Sequence, residues 1–111
     1  DLRIAVEAAS ARGHTGEITL EHFLPQLMLR RSPRTAGQIR DRVYGPLTPE
    51  LAHTLDLLIE HDFERASTAA ALPVHRNTLR DRINHISELT GVSLDRAEGR
   101  GLAWLAWLSR R

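Results

Sequence analysis

Side chains that can donate hydrogen bonds to phosphate groups and to the edges of bases are concentrated between residues 75 and 85. The set comprises His75, Arg76, Asn77, Thr78, Arg80 and Asn84. If this segment is a helix, the 100° spacing of successive residues gathers its apolar side chains on another face. That face holds Leu79, Ile83, Ile86 and the methyl-bearing Thr90, with Leu89 beside them. The pattern indicates a helix that packs on its own domain through one side and offers polar, cationic groups to a partner on the other.

The preceding residues supply a second helix and a short break. Residues 64 to 72 are rich in alanine, which allows close helix packing, and Leu72-Pro73-Val74 interrupts the helical pattern before a helix from about His75 to Thr90. Two helices joined by a tight turn, the second bearing arginine at its N-terminal end, are typical of a helix-turn-helix with its recognition helix. The sequence therefore predicts a DNA-binding unit.

Within this unit we expect Arg76 and Asn77 to contact bases, Arg76 through the O6 and N7 atoms of guanine, with Asn84 further along the helix. Phosphate contacts are predicted for Thr78, Arg80, Ser67 and Thr68. His75 is expected either to cap the helix or to touch a phosphate. The alternative for Arg76 is a solvated side chain at a helix N-terminus, although the helix dipole disfavours a cation there.

Two charged residues fit this scheme less simply. A carboxylate at Asp81 repels phosphate, so it is useful only if it accepts from the amino group of a cytosine or orients Arg80 or His85. Arg82 flanks the apolar seam and is expected to be structural, in an ion pair with Glu64 or Asp62.

The segment VHRNTLRDRI, followed by a helix ending in ELTG, resembles the C-terminal helix-turn-helix of the PucR/CdaR family of bacterial transcription regulators. The resemblance extends over about residues 47 to 108, and the turn is also similar to that of Fis-type DNA-binding domains. It implies binding to double-stranded DNA, with a small-molecule inducer bound by domains upstream. The working form is expected to be a homodimer on two half-sites about one helical turn apart. The sequence departs from the family pattern at Asp81, where an aromatic residue is common, and at Phe63-Glu64, where a Gly-Asn type turn is common.

Other classes of function find little support. The 111 residues contain no cysteine and no apolar stretch long enough to span a membrane, and the net charge is only +1. The six histidines form no HxxxH or HExxH pair, and no catalytic motif is present. We therefore expect a cytoplasmic protein that is not an enzyme and has no metal or cofactor. The alternative function is a helical protein–protein interaction or dimerisation module without DNA binding.

Helical signals run through the whole chain and predict an all-α, multi-helix domain. We expect helices over residues 2–12, from a capping Thr19 to about Met28, over 35–44, from Thr48-Pro49-Glu50 to about His61, and from a capping Asp95 to about Ser109. The arginine-rich residues 30 to 34 are expected to form a loop or cap. The start at Asp1 suggests an excised fragment. The family resemblance implies that residues 1–46 are either the helical tail of an upstream sensor or degenerate cyclase-like domain or a linker, and that residues 47–111 are the DNA-binding domain.

The last predicted helix is apolar on nearly every side and carries Trp104 and Trp107. A helix with this pattern is covered on all sides. Two interpretations stay open: a central place in the core, or a face covered by a second subunit.

Overall fold

A computed structural model describes residues 20–111, which form six α-helices and no strand. The helices are α1 (Leu20–Arg31), α2 (Pro33–Tyr44), α3 (Pro49–Glu60), α4 (Arg65–Ala71), α5 (Arg76–Thr90) and α6 (Ala97–Ser109). The predicted all-α class is confirmed. Helices α4 and α5 form the helix-turn-helix. The predicted helix over residues 2–12 and the capping Thr19 lie outside the described residues.

Helices α1 and α2 follow one another almost without interruption. Only Ser32 separates them, because Arg31 ends α1 and Pro33 occupies the first position of α2. Of the two expectations for residues 30 to 34, the loop is therefore wrong, and the cap consists of Ser32 alone, at the N-cap position of α2. Proline is favourable at this position, since its fixed φ suits a helix start and its missing N–H would have had no helical partner.

Helix α3 begins as its sequence predicts. The Thr48 hydroxyl accepts a hydrogen bond from the Leu51 amide at 3.2 Å, and Pro49 takes the first helical position. The apolar side chains that helical spacing gathers on one face are all buried, namely Leu51, Leu55, Leu58 and Ile59. Local capping chemistry and apolar spacing agree here, and the predicted helix is confirmed.

The turn between α3 and α4 places two side chains in the left-handed backbone region. Asp62 has φ 55° and Phe63 has φ 62°, a conformation that costs an L-residue about 1–2 kcal/mol. The Phe63 ring packs against the core and lies under the guanidinium of Arg100, whose Cζ is 5.3 Å from the ring centroid. These contacts offset the strain and explain how a bulky residue replaces the glycine common in such turns.

One core is shared by helices on both sides of residue 46. Val43 of α2 lies in the same buried cluster as Leu55 of α3, Leu79 of α5 and Ala103 of α6. Helices α2 and α6 form the most extensive helix pair, and Arg40 Nη1 donates to the Ser109 carbonyl at 3.1 Å. The division of the chain at residues 46 and 47 stays a prediction, but α2 packs as part of the helical domain.

The last helix differs from expectation at its start. It begins at Ala97 after Arg96, and no side chain caps it. The predicted capping role of Asp95 is therefore wrong, because the Asp95 carboxylate instead pairs with Arg65 at 2.9 Å. Trp104 and Trp107 are half-buried and pack against the core.

Candidate nucleic-acid interface

The turn of the helix-turn-helix is held by backbone and side-chain hydrogen bonds. The Val74 amide donates to the Ala69 carbonyl at 2.8 Å, and His75 Nδ1 accepts from the Asn77 amide at 3.1 Å. His75 thus caps α5, one of the two roles expected for it. Because Nδ1 is the acceptor, the neutral ring carries its proton on Nε2, which is left as a donor for a partner outside the protein.

The seam of α5 consists of its four buried residues, Leu79, Ile83, Ile86 and Thr90, none of them more than 4% exposed. The helix then ends at Gly91, whose φ of 71° is a left-handed cap. Arg42 Nη1 donates to the Thr90 carbonyl, so a cation from α2 lies at the C-terminus of α5. Packing along the seam and contacts at both ends fix the rotation of α5 about its axis.

The outward strip of α5 lies opposite the seam and consists of Asn77, Asp81, Asn84 and Glu88. All four residues are exposed. At 100° per residue, Asp81 and Glu88 lie about 170° from the centre of the seam, and Asn77 and Asn84 lie closer to one side. The strip therefore contains two amides that are predicted to contact bases, Asn77 and Asn84. It also contains two carboxylates, Asp81 and Glu88, which are not among the predicted base-contacting residues.

Basic and hydroxyl side chains lie on the flanks of this strip. Arg76 and Arg80 share one flank, Thr78 lies on the other, and all three are exposed. Arg82 is only 23% exposed and pairs with Glu50 at 3.6 Å. The structural role expected for Arg82 agrees with this contact, but its partner comes from the first turn of α3 and is neither Glu64 nor Asp62.

The two residues of α4 expected to hold phosphates differ in accessibility. Ser67 is half-buried, and its hydroxyl donates to the Glu64 carbonyl at 3.3 Å. Thr68 is fully buried, and its hydroxyl donates to the same carbonyl at 2.6 Å. Thr68 therefore faces the core, where a phosphate does not reach it, because its hydroxyl satisfies a helix carbonyl and its methyl group packs inside.

Glu64 occupies the N-terminus of α4. Its carboxylate accepts from the amides of Ala66 at 3.0 Å and Ser67 at 2.8 Å. Hydrogen bonds from Ser67, first from its side chain and then from its amide, lower the pKa of Glu64, and the Ala66 amide adds to this effect. The amides that could bind an anion at this helix end are thus already used by the protein.

The described part of the chain contains neither a membrane-spanning helix nor a group of three metal-ligating side chains. Between residues 20 and 111, no helix combines the length and the apolar character needed to cross a membrane. In the same range, His, Asp and Glu side chains do not come together in threes to hold a metal ion.

A positioned recognition helix with an exposed polar strip is the geometry of a DNA reader, and comparison with known proteins agrees. The model of the PucR C-terminal helix-turn-helix domain matches residues 51–108, over half the chain. The chain belongs to this family. Its members are DNA-binding domains of transcription regulators and not enzymes, so the resemblance seen in the sequence is confirmed.

Two transcription regulators and one uncharacterized protein illustrate the relationship. The transcriptional activator PmfR of Paenarthrobacter nicotinovorans is 33% identical over 96% of this chain, and the carbohydrate diacid regulator of Escherichia coli is 43% identical over 50%. The uncharacterized protein YsfB of Bacillus subtilis is 36% identical over 60%. The chain spans only 26%, 14% and 19% of the lengths of these relatives. No solved structure matches the chain.

Proposed function

We propose that this PucR-type domain binds double-stranded DNA sequence-specifically with α5 in the major groove. The observation that carries the proposal is the division of α5 into a buried seam and an exposed polar strip. A B-DNA major groove admits one α-helix, and the walls of the groove are formed by phosphates. The outward strip would face the base edges, and the flanks would face the two phosphate backbones.

Base contacts are proposed for the residues at the N-terminal end of α5. Asn77 lies on the outward strip, and Arg76 extends from the first helical position, where recognition helices of this kind approach the bases. Arginine matches O6 and N7 of guanine, and asparagine matches N6 and N7 of adenine. Asn84 lies two helical turns after Asn77 on the same strip. It would also approach the bases if α5 stays within the groove over those two turns.

Phosphate contacts are proposed for side chains on the flanks and at the turn. Thr78 and Arg80 are exposed on opposite flanks, and His75 retains Nε2 as a donor. Ser67 is accessible in part, but Glu64 already accepts from both its amide and its hydroxyl, so a phosphate contact requires the hydroxyl to exchange its 3.3 Å bond to the Glu64 carbonyl for one to the phosphate. Such contacts position the protein on the duplex and make its affinity depend on salt.

A dimer on two half-sites about one helical turn apart is the proposed working form. Helix α1 supports it, because Leu24 and Met28 lie one turn apart and are 47% and 68% exposed. The relatives are several times longer than this chain. The whole regulator is therefore proposed to bind an inducer through upstream domains and to act in the cytoplasm, where bacterial DNA is located.

The test is fluorescence anisotropy with a labelled duplex from the region upstream of the gene, at about 50 and about 200 mM salt. We expect the native duplex to bind more tightly than a scrambled one, with a steep loss of affinity at the higher salt. Arg76→Ala should lose about 1–3 kcal/mol of the preference for the native duplex, because a guanine contact is removed.

The control for this experiment is Arg96→Ala, which removes an exposed arginine outside the helix-turn-helix, directly before α6. It should leave the preference unchanged. Binding that is insensitive to both salt and sequence would contradict the proposal and favour a helical protein–protein module. If the chain alone does not bind, fusion to a dimeric coiled coil tests whether two half-sites must be engaged together.

A further inference from the structure

We propose that Asp81 is a specificity-determining residue that accepts a hydrogen bond from the exocyclic amino group of a cytosine. The inference rests on the proposed function, because it requires α5 to lie in the major groove. It assigns a chemical group on the DNA to a side chain whose negative charge would otherwise oppose binding.

The position of Asp81 directs it toward the floor of the groove. It lies in the middle of the outward strip, one helical turn after Asn77 and about 170° from the centre of the seam. Its side chain is 72% exposed. The rotation of α5 is fixed by the seam and by the contacts at its ends, so the domain cannot turn Asp81 away without turning Asn77 away as well.

The chemistry of the groove restricts what a carboxylate can accept there. Phosphates repel it, and so do the acceptor atoms of guanine and thymine, namely N7, O6 and O4. Only cytosine and adenine present an amino donor. In adenine the acceptor N7 lies beside that amino group and repels the second carboxylate oxygen, whereas the cytosine edge presents its N4 amino group alone. A carboxylate in the groove therefore selects cytosine.

The neighbouring arginine positions this carboxylate. Arg80 Nη2 lies 3.4 Å from Asp81 Oδ1, and the side chain of Arg80 is 57% exposed. An exposed ion pair of this kind contributes little to folding. Its effect at the interface is different, because the guanidinium partly neutralises the carboxylate as it approaches the DNA and keeps other donors available for a phosphate.

The experiment is selection of binding sites from a randomised duplex pool, with the chain itself and with the chain joined to a dimeric coiled coil. The wild type should select cytosine at one position of each half-site. Asp81→Ala should lose selectivity at that position only, and Asp81→Asn should shift it toward adenine, which asparagine pairs bidentately. The control Glu88→Ala, which removes the other carboxylate of the strip, should keep the cytosine.

A second measurement tests the amino group directly. In the selected duplex, the cytosine is replaced by 2-pyrimidinone, which lacks the 4-amino group. The affinity of the wild type should fall about fivefold or more, and that of Asp81→Ala should not change. An unchanged base preference in Asp81→Ala overturns the role of Asp81 and leaves the proposed function standing. If neither the chain nor its dimeric fusion selects any sequence, the proposed function fails, and the role of Asp81 fails with it.

Discussion

The two sides of α5 differ in what their side chains contact. The seam is buried among side chains from other helices, and its one polar member, Thr90, donates to the Ile86 carbonyl at 2.7 Å and accepts from the Val92 amide at 3.1 Å. The outward strip is exposed throughout, and the ion pair of Asp81 with Arg80 is a contact between neighbours. Folding therefore depends on one side of the helix, and recognition is left to the other, so recognition residues can change at little cost to stability.

Two carboxylates of the helix-turn-helix show the same division. Glu64 is satisfied within the protein, because it accepts two amides at the start of α4. Asp81 is exposed, and its interaction with Arg80 uses an adjacent side chain. The first carboxylate stabilises a helix end, whereas the second remains available to a partner.

The largest expected effect comes from breaking the seam while keeping the strip. Ile83 is 2% exposed, and Ile83→Ala should lower the free energy of unfolding by about 2–5 kcal/mol through lost burial and a cavity. Chemical denaturation followed by circular dichroism measures this change. The matched control is Asn84→Ala, one residue along and exposed, which should change stability by no more than about 0.5 kcal/mol.

The same pair of variants separates folding from binding. Below its denaturation range, Ile83→Ala should retain the base preference of the wild type, and Asn84→Ala should weaken it while remaining fully folded. Equal losses of stability in the two variants would show that the two sides of α5 are not independent.

Sequence reasoning succeeded where the determining interactions are local. Thr48 and Pro49 define the start of α3, Gly91 ends α5, and the apolar spacing of Leu79, Ile83 and Ile86 locates the seam. Each of these features depends on residues within one or two helical turns, so the sequence contains the whole cause. The exposure of Asn77 and Asn84 follows from the same periodicity.

Sequence reasoning failed where a side-chain contact depends on a residue that is distant in sequence. Asp95 has the spacing of a helix cap, but its carboxylate forms an ion pair with Arg65. Arg82 forms an ion pair with Glu50 of another helix. The phosphate contact predicted for Thr68 does not allow for the ability of a threonine to bond to the carbonyl four residues earlier and be buried. The rotation of α4 that buries Thr68 is set by packing against α3 and α5, which the local pattern of a short, alanine-rich helix does not show.

A smaller effect is expected from disturbing the left-handed cap at the C-terminus of α5, which helps to fix the rotation of this helix. Gly91→Ala should destabilise the protein by about 1–2 kcal/mol, because an L-residue is strained at φ 71°. The added methyl group itself meets only Arg42 Nη2 at 3.5 Å, which is ordinary contact. Thermal or chemical unfolding measures the difference.

The control is the same substitution in the middle of α6. A Cβ at Gly101 meets no atom within 4 Å, so Gly101→Ala should stabilise the protein by about 0.5–1 kcal/mol through higher helix propensity. The same substitution is thus expected to destabilise the protein at residue 91 and to stabilise it at residue 101. A stabilising Gly91→Ala would show that the left-handed cap does not hold the end of the recognition helix.

The smallest effect concerns the two carboxylates and depends on pH. Folding lowers the pKa of Glu64, so this residue contributes stability above its unfolded pKa, about 4.3, and that contribution is lost as the pH falls through its lower folded pKa. The difference in unfolding midpoint between the wild type and Glu64→Gln should therefore be constant from about pH 7 to 5 and shrink below about pH 4. Asp81→Asn, which removes a charge of the same sign from the outward strip, should show a difference near zero at neutral pH while changing the base preference. A Glu64→Gln difference that persists unchanged at about pH 3 would mean that its carboxylate does not stabilise α4 as an anion, and the contrast between a carboxylate used for folding and one used for recognition would be lost.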